Sequence, residues 1–510
     1  MRKAARIGFG LLTMLVILAV AAALVLLPGP SSWVDDTSSA NGAAVSHTVS
    51  PTQFSSYCPS PMNLSDTESY GDSAYQASVG NQSSTARYAA FGSVYRSTIS
   101  PFATDDDEAD SLSLESADLA DSDTVLVDGE ELAQNAASRL MDTRLLESGQ
   151  GVGVAGALAS QATEGDLKGV SAASCVSTDL SHSFLLTGTV TGTTQQLIVA
   201  NPSSKATTVD VQAWGSDSSG ALTLATSSTL TVPAYGESSM DLAAAASGQD
   251  GLYVTVSSEL TPVAAVVRTV SMDGLDSKGS DFAMPLGEAS AVSVVPSITQ
   301  GDETTAYLFS SEDTDVTLSW VDEDGSEQAE EVALEAQRVT VVDLGEAPQG
   351  ALALAADAET EVNLAVATTR SGADNQADFA LTNAAHPVES SAVALPDGMA
   401  ARVTLANTSD EAHTVTLHIY DASGASLGDL DIEVGANAAE SLTVDDLTDG
   451  DGTAAVLVLD DESHEVGWGV LLSNPAVDDA DMAGLATLEA TSLMPQQTQV
   501  WARSQSGIVH

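Results

Sequence analysis

Two short runs in this chain hold enough carboxylates to grip a divalent cation. Asp322, Glu323, Asp324 and Glu327 fall in one turn, and Asp445, Asp446, Asp449 and Asp451 in another. Calcium takes about six to eight oxygen ligands, so acidic turns are the first place to look for it. Neither run has the spacing of the helix-flanked calcium loop. Asp322, Asp324, Asp449 and Asp451 are the candidates for a looser site between tandem domains, set against the plainer reading of acidic hairpin turns.

Other chemical patterns weaken once their surroundings are considered. Gly151, Gly153 and Gly156 have the G-x-G-x-x-G spacing of a dinucleotide-binding turn. That motif works only where a strand meets a helix N-terminus, and here an Ala/Gly-rich strand pattern follows. Gly424, Ser426 and Gly428 fit G-x-S-x-G, but between two strand patterns rather than at a strand-to-helix elbow. His464-Glu465 begins like H-E-x-x-H, yet position 468 is Trp. No catalytic residue and no cofactor is expected. Trp320 is in phase with Val316 and Leu318 and belongs to a core, whereas Trp214 is out of phase with Val209 and Val211 and suits solvent or an interdomain seam.

The only cysteines are Cys58 and Cys175. In an oxidising compartment the pair is expected to form a disulfide, stapling a loop of more than a hundred residues. A reactive thiol is the alternative.

These residues must be positioned by elements whose location is set near the N-terminus. Residues 7–27 are uninterruptedly apolar and follow Arg2, Lys3 and Arg6. As a helix they reach about 31 Å, the hydrocarbon thickness of a bilayer. The flanking bases place residues 1–6 in the cytoplasm as a stub and the remainder outside. A cleaved signal is the competitor, but the apolar run continues past Ala19, Ala21 and Ala23. Residues 28–51, rich in Ser, Ala, Gly and Pro, read as a flexible stalk. Against 15 Lys plus Arg stand 72 Asp plus Glu, a net charge of -57 that repels phosphate and excludes nucleic acid as a partner.

Beyond the stalk, an internal repeat organises the chain. Residues 197–214 (LIVANPSSKATTVDVQAW) align without a gap with residues 403–420 (VTLANTSDEAHTVTLHIY), and residues 306–321 form a middle copy with a turn two residues shorter. The apolar period is two, the signature of half-buried strands. Apolar runs ending at Pro296, Pro396 and Pro495 mark a period near 100 residues. That length suits a seven-strand immunoglobulin-like β-sandwich and exceeds a propeller blade. The expected organisation is an irregular β domain at 52–184 with an acidic disordered loop at 105–123, then sandwich repeats at 185–296, 297–396 and 397–510. The fold class is all-β, with tandem sandwiches following one transmembrane helix. In the irregular domain, residues 151–160 and 167–175 read as a hairpin, and residues 130–147 as a helix or a strand pair.

The membrane segment, the Cys58-Pro59 pair, Cys175 after Gly-Val-Ser-Ala-Ala-Ser, and residues 197–220 with Asn201-Pro202 together resemble an uncharacterised family of actinobacterial membrane-anchored secreted proteins. The resemblance implies location and architecture and supplies no catalytic residue. The expected function is that of a non-enzymatic plasma-membrane protein acting outside the cell as an envelope scaffold or interaction module. Its expected partners are the membrane, through residues 7–27, and envelope proteins or polysaccharide. The alternatives are a carbohydrate or cell-wall polymer binding module and an unrecognised hydrolase.

Overall fold

A computed structural model describes residues 45–64, 77–103, 111–115, 125–448, 452–496 and 498–502. The expected stub 1–6 and membrane segment 7–27 lie outside the described residues, as do Asp449 and Asp451. Among the described residues no helix is long and apolar enough to cross a membrane. The chain divides into two units, residues 1–51 with 496–510, and residues 52–495. In the smaller unit Val45–Val49 pairs antiparallel with Thr498–Ala502. This strand corrects the expected stalk of 28–51: the Ser/Gly/Ala-rich composition ends at Ala44, and Val45, Thr48 and Val49 supply β-branched residues.

The larger unit contains four modules, each of two antiparallel sheets, and all four share one strand order. Numbering the strands within a module, the first sheet runs 1-6-3-4 and the second 5-2-7-8. The first repeat shows it plainly. Ser181–Thr187, Gly251–Ser258, Thr207–Gly215 and Thr229–Val232 form one sheet, and Gly236–Asp241, Thr193–Asn201, Ala264–Asp273 and Asp276–Ala283 the other. Phe184, Val209, Val211 and Val254 from the first sheet meet Leu197, Val199 and Val267 from the second in a dry core. The third repeat follows the same order from Ser390–Ala394 to Ala486–Glu489. In the second repeat strands 6 and 7 are fused into one 19-residue strand, Ala353–Ser371, which pairs in the first sheet up to Val362 and in the second from Asn363. The modules therefore share eight strand positions, one more than the expected seven, and the N-terminal module and the third repeat each add a short strand, Val176–Ser177 and Thr491–Ser492.

The N-terminal module is a fourth copy, not an irregular domain. Gln53–Cys58, Arg139–Leu145, Val94–Pro101 and Leu112–Leu114 make its first sheet, and Val125–Leu132, Ser83–Phe91, Gly153–Ala162 and Gly169–Ser174 its second. Of the two readings for 130–147 the strand pair holds, with the strands in different sheets. The acidic loop expected at 105–123 contains strand Leu112–Leu114 on Ser97–Ile99, because Leu112 and Leu114 alternate with serine and point one face inward.

The boundaries drawn at 296 and 396 fall one strand late. Ser290–Pro296 pairs with Ala353–Ser371 and opens the second repeat, and Ser390–Ala394 pairs with Ala454–Asp460 and opens the third. The runs ending at Pro296 and Pro396 are thus first strands, whereas the run ending at Pro495 follows the eighth strand of the third repeat. First strands are capped in a common way. Each is closed by a backbone N–H from the tail of its own module, as when Leu286 donates to the Ser183 carbonyl, Ala385 to Val294 and Leu493 to Ser390.

Module packing closes on itself. Ile198, Ala200, Ala264 and Val266 of the first repeat enter the N-terminal core. Tyr307, Phe309 and Val339 of the second repeat enter the core of the first. Val294, Val321 and Ala353 pack on Ala406 and Ala439 of the third repeat, and Ala157, Ala159, Val170 and Ala172 of the N-terminal module enter the third repeat's core. The four eighth strands, each at a sheet edge, meet at the centre of this circle, with each one against the next.

Edge strands buried there bring backbone N–H groups that no sheet partner satisfies. Side-chain carboxylates satisfy them. Asp281 accepts from the N–H of Ala172 in the N-terminal module and of Leu381 in the second repeat, at 3.4 and 3.0 Å. Asp378 accepts from Val170 at 2.7 Å, from Leu485 of the third repeat at 3.1 Å and from Phe379 at 3.1 Å. Glu489 accepts from Asn383 N–H at 3.2 Å. Burial pushes Asp281 and Asp378 well above the usual carboxylate range, with the backbone donors pulling against it. Gly169, at φ +127°, would place a Cβ 2.3 Å from the Asp378 carboxylate, so this approach needs glycine.

Replacing Asp378 with Ala leaves three buried N–H groups without acceptors, at about 1–3 kcal/mol each. The expected result is a loss of several kcal/mol in chemical unfolding, whereas a loss within about 0.5 kcal/mol, as for a surface change, would show that the carboxylate does not hold the modules together. Burial also raises the Glu489 carboxyl to about 7, so folding favours its protonated form. Its contribution is therefore fully present below the unfolded carboxyl pKa of about 4.5 and is lost as pH rises to about 7. Glu489 retains some exposure to a cavity, which moderates the effect to about 2 kcal/mol. Unfolding curves at pH 4.5 and 7.5 should differ less in Glu489→Gln than in the parent; an unchanged difference would refute the assignment.

Candidate functional site

Two adjoining hollows that chemistry could use lie in the seam between the second and third repeats. A groove of about 470 Å³ is bordered by Glu288, Ser290, Asn363, His386, Thr408 and Glu465. These come from the link between the first two repeats, from both ends and the middle of the second, and from two loops of the third. Adjoining it, and sharing Leu286, Gly287, Ala384, Ala385 and His386, is a deeper cavity of about 200 Å³ bordered by Ser297, Asn383, Trp468, Thr487 and Glu489.

Each wall is placed by the repeat architecture. Trp468, in the seventh strand of the third repeat, is buried and donates its indole N–H to Ser391 Oγ at 2.8 Å, which fixes the ring. Asn383 ends the eighth strand of the second repeat and donates to the Met284 carbonyl at 3.0 Å. The Thr382 and Thr487 hydroxyls lie 2.8 Å apart across the seam. Ser297 follows Pro296 with φ +71°, a left-handed conformation that a non-glycine residue holds only where its surroundings impose it. Its buried hydroxyl has no hydrogen-bond partner. His464 also has positive φ, +59°, and its Nε2 lies 3.8 Å from Glu389.

Ser297, His386 and Glu489 border one cavity, which prompts the question of a nucleophile relay. The geometry supplies none: the Ser297 hydroxyl is unpartnered, and Glu489 is engaged by a backbone N–H. Ser426 begins the strand Ser426–Val434 within a hairpin, with no helix behind it. Gly153 and Gly156 lie within the strand Gly153–Ala162, and a Cβ at Gly156 would sit 2.6 Å from Cys175 Sγ. This glycine makes room for sulfur, not for a pyrophosphate.

Cys58 and Cys175 are joined in a disulfide across 117 residues. Both are buried in the N-terminal core, beside Met141 and Tyr88. A cross-link closing so long a loop stabilises by about 4–5 kcal/mol in the chain-entropy account. Among the calcium candidates, Asp322 Oδ1 accepts from the backbone N–H of Asp324 and of Gly325, both at 2.9 Å, as in an ordinary acidic turn. Among the described residues no cluster of three or more His, Cys, Asp or Glu is arranged to hold a metal ion. The structure brings Trp214 to a seam: its ring packs on Tyr253 and on Phe309 of the second repeat at 5.6 and 5.8 Å. Trp320 is half-buried and packs against the second repeat's core, which holds Val316 and Leu318.

Sequence reasoning missed the seam cavity because its walls come from five separated segments. It also missed Asp281 and Asp378, although a signal was present: both open an Asp-Phe-Ala triplet, at residues 281–283 and 378–380.

No curated protein is similar to the chain in sequence. Among solved structures, the dimeric latent PorU from Porphyromonas gingivalis aligns at 10% identity and a TM-score of 0.11, covering 68% of this chain. The chain spans about a third (32%) of that protein's length. A sequence pattern shared by a known family covers residues 130–445, and the chain belongs to that family, DUF5719, a family of unknown function.

Proposed function

We propose that this chain is a non-enzymatic scaffold of the cell envelope, tethered to the plasma membrane through residues 7–27 and presenting a rigid surface on the outer side. The carrying observation is the closed circle of four modules with shared cores and buried carboxylates at its centre. Beads on a string would reorient freely, because small polar interfaces allow domain motion; continuous apolar seams hold neighbouring modules in fixed relation. Such a body suits positioning several envelope components at set distances. The modules read as eight-strand relatives of the immunoglobulin-like sandwich, an architecture that carries binding as readily as chemistry. The buried Cys58–Cys175 disulfide supports an oxidising compartment, and the net charge of -57 favours cationic partners over phosphate-bearing ones. Anchoring rests on the apolar run, and the actinobacterial envelope on the resemblance carried by the cysteines and the repeat.

A second reading, recognition of a carbohydrate or cell-wall polymer, is favoured by the seam cavity with its mixed polar and aromatic lining. The weight against a hydrolase is the unpartnered Ser297 hydroxyl.

The test is fractionation of cells carrying the full chain, with protease added outside. The expected outcome is sedimentation with membranes, digestion of the bulk of the chain from outside, and release into the soluble exported fraction when residues 1–27 are exchanged for a cleaved signal. Recovery of the full chain from the cytosol with reduced cysteines would overturn the proposal.

A further inference from the structure

The junction of the four eighth strands sets carboxyls against one another in the interior. Asp281 and Asp378 are 2% and 0% exposed. Asp378 accepts from the N-terminal module and the third repeat, and Gly279 of the first repeat, at φ +104°, also comes up against it, so close that a Cβ there would lie 2.6 Å from its carboxyl. That one side chain therefore meets all three other modules. Asp281 joins the N-terminal module to the second repeat through Ala172 and Leu381, and Glu489 returns from the third repeat to Asn383.

Among the described residues, none of these three carboxyls is ion-paired with a lysine or arginine. Arg370 lies opposite Asp378 in the sheet, but its guanidinium is bonded to Asp302 at 2.9 and 2.7 Å, with Asp478 acting on it as well. Lys278 donates to the Asn375 carbonyl, and Arg268, opposite Phe282, donates to Ser60. Lys168 precedes the strand Gly169–Ser174, and Asp276 opens the strand Asp276–Ala283. A carboxylate buried without a cation is costly, and a second one nearby adds to the cost. Burial accordingly holds Asp281 and Asp378 high against the pull of their backbone donors, and a neighbouring carboxyl pushes the same way, Glu489 on Asp281 and Asp281 on Asp378.

We propose that the junction is a proton-operated latch: with its carboxyls protonated the four modules are held closed, and their ionisation loosens the eighth strands from one another while each sandwich stays folded. The latch goes beyond the scaffold role and does not depend on it. Folding raises these groups above their unfolded values, so their support for closure is fully present below about pH 4 and is lost as pH climbs through the raised values. Glu489, at about 7, places part of that change near neutral pH.

Amide exchange of the full chain, read by mass spectrometry at pH 5 and pH 8.5 and corrected for intrinsic rates, separates the junction from the module cores. In peptides covering 169–174, 378–383 and 485–489, protection should fall about tenfold or more between the two pH values, one unit of pKa being a tenfold change in equilibrium. Peptides from the cores, such as 197–201 and 403–407, should keep theirs. Asp281→Asn and Asp378→Asn, which cannot ionise, should each shrink the fall at the junction, and a fall of the parent's size in both refutes the latch. Equal protection at both pH values overturns it, as does loss at cores and junction together, which is unfolding of the whole. If the asparagine variants do not fold, Glu489→Gln decides: a fall no smaller than the parent's refutes the proposal.

Discussion

Four sheet edges buried against one another create a problem that backbone pairing does not solve, and the whole larger unit depends on how it is met. An edge strand carries a row of N–H and C=O groups, and each one left unsatisfied away from water costs more than an ordinary hydrogen bond returns. At the centre of this molecule the neighbouring eighth strands approach side chain to backbone. Asp281 and Asp378 each reach two other modules, and Glu489 reaches from the third repeat back to the second. The acceptors are carboxylates on strands that are themselves edges, so the same elements that create the demand also satisfy it. Asp378 divides its three donors between both oxygens, Oδ2 accepting from Val170 and Leu485 and Oδ1 from Phe379.

This arrangement gives part of the acid-rich composition a structural use. Among the described residues only Asp281, Asp302, Asp378 and Asp461 are buried carboxylates; the others keep contact with water, where like charges disfavour edge-to-edge association. The strand Ser326–Leu334, an edge of the second repeat, carries Glu327, Glu330 and Glu331 outward, and Ser426–Val434 in the third carries Asp429, Asp431 and Glu433 at the corresponding edge. In these two repeats the fourth strand guards the outer edge by repulsion, while the eighth strand closes the inner edge by hydrogen bonding. One residue class thus does opposite work at the two ends of the same module.

The repeat was legible because its strands alternate and its turn is built alike. Asn201 and Asn407, aligned in the sequence, occupy equivalent positions: each donates to three carbonyls across its turn and accepts from the serine two residues on. The same corner appears at Tyr235, Gln337 and Asn437, all in left-handed conformation, each donating to Ser203, Ser310 or Ser409. What escaped notice did so for physical reasons. In the second repeat strands 6 and 7 run on without a turn, so Ala353–Ser371 has no punctuation to read. The N-terminal module's eight strands are spread by long insertions, which hide the period. The Asp-Phe-Ala triplets look like ordinary strand ends until the partner modules are in place, since carboxylates answering N–H groups a hundred or more residues away leave no local pattern. The seam cavity is likewise a product of packing, whereas the Cys58–Cys175 pair could be read from count alone.

Closure also explains why this architecture holds four modules. A linear array of repeats has two ends, and each end must be capped because its outer face lacks a neighbour. Here the N-terminal module packs on the first repeat and also on the third: Arg87 forms an ion pair with Asp397 and donates to the Leu395 carbonyl, and Ser174 donates to the Glu489 carbonyl at 3.0 Å. The first and last modules therefore cap one another. The disulfide lies in the N-terminal module, where Cys175 immediately follows the eighth strand Gly169–Ser174. The disulfide ties that strand to Cys58 at the end of the module's first strand. Because Val170 and Ala172 on that braced strand donate to Asp378 and Asp281, the covalent staple and the buried carboxylates act on the same element, and the order imposed by one is passed through the other to the remaining three modules.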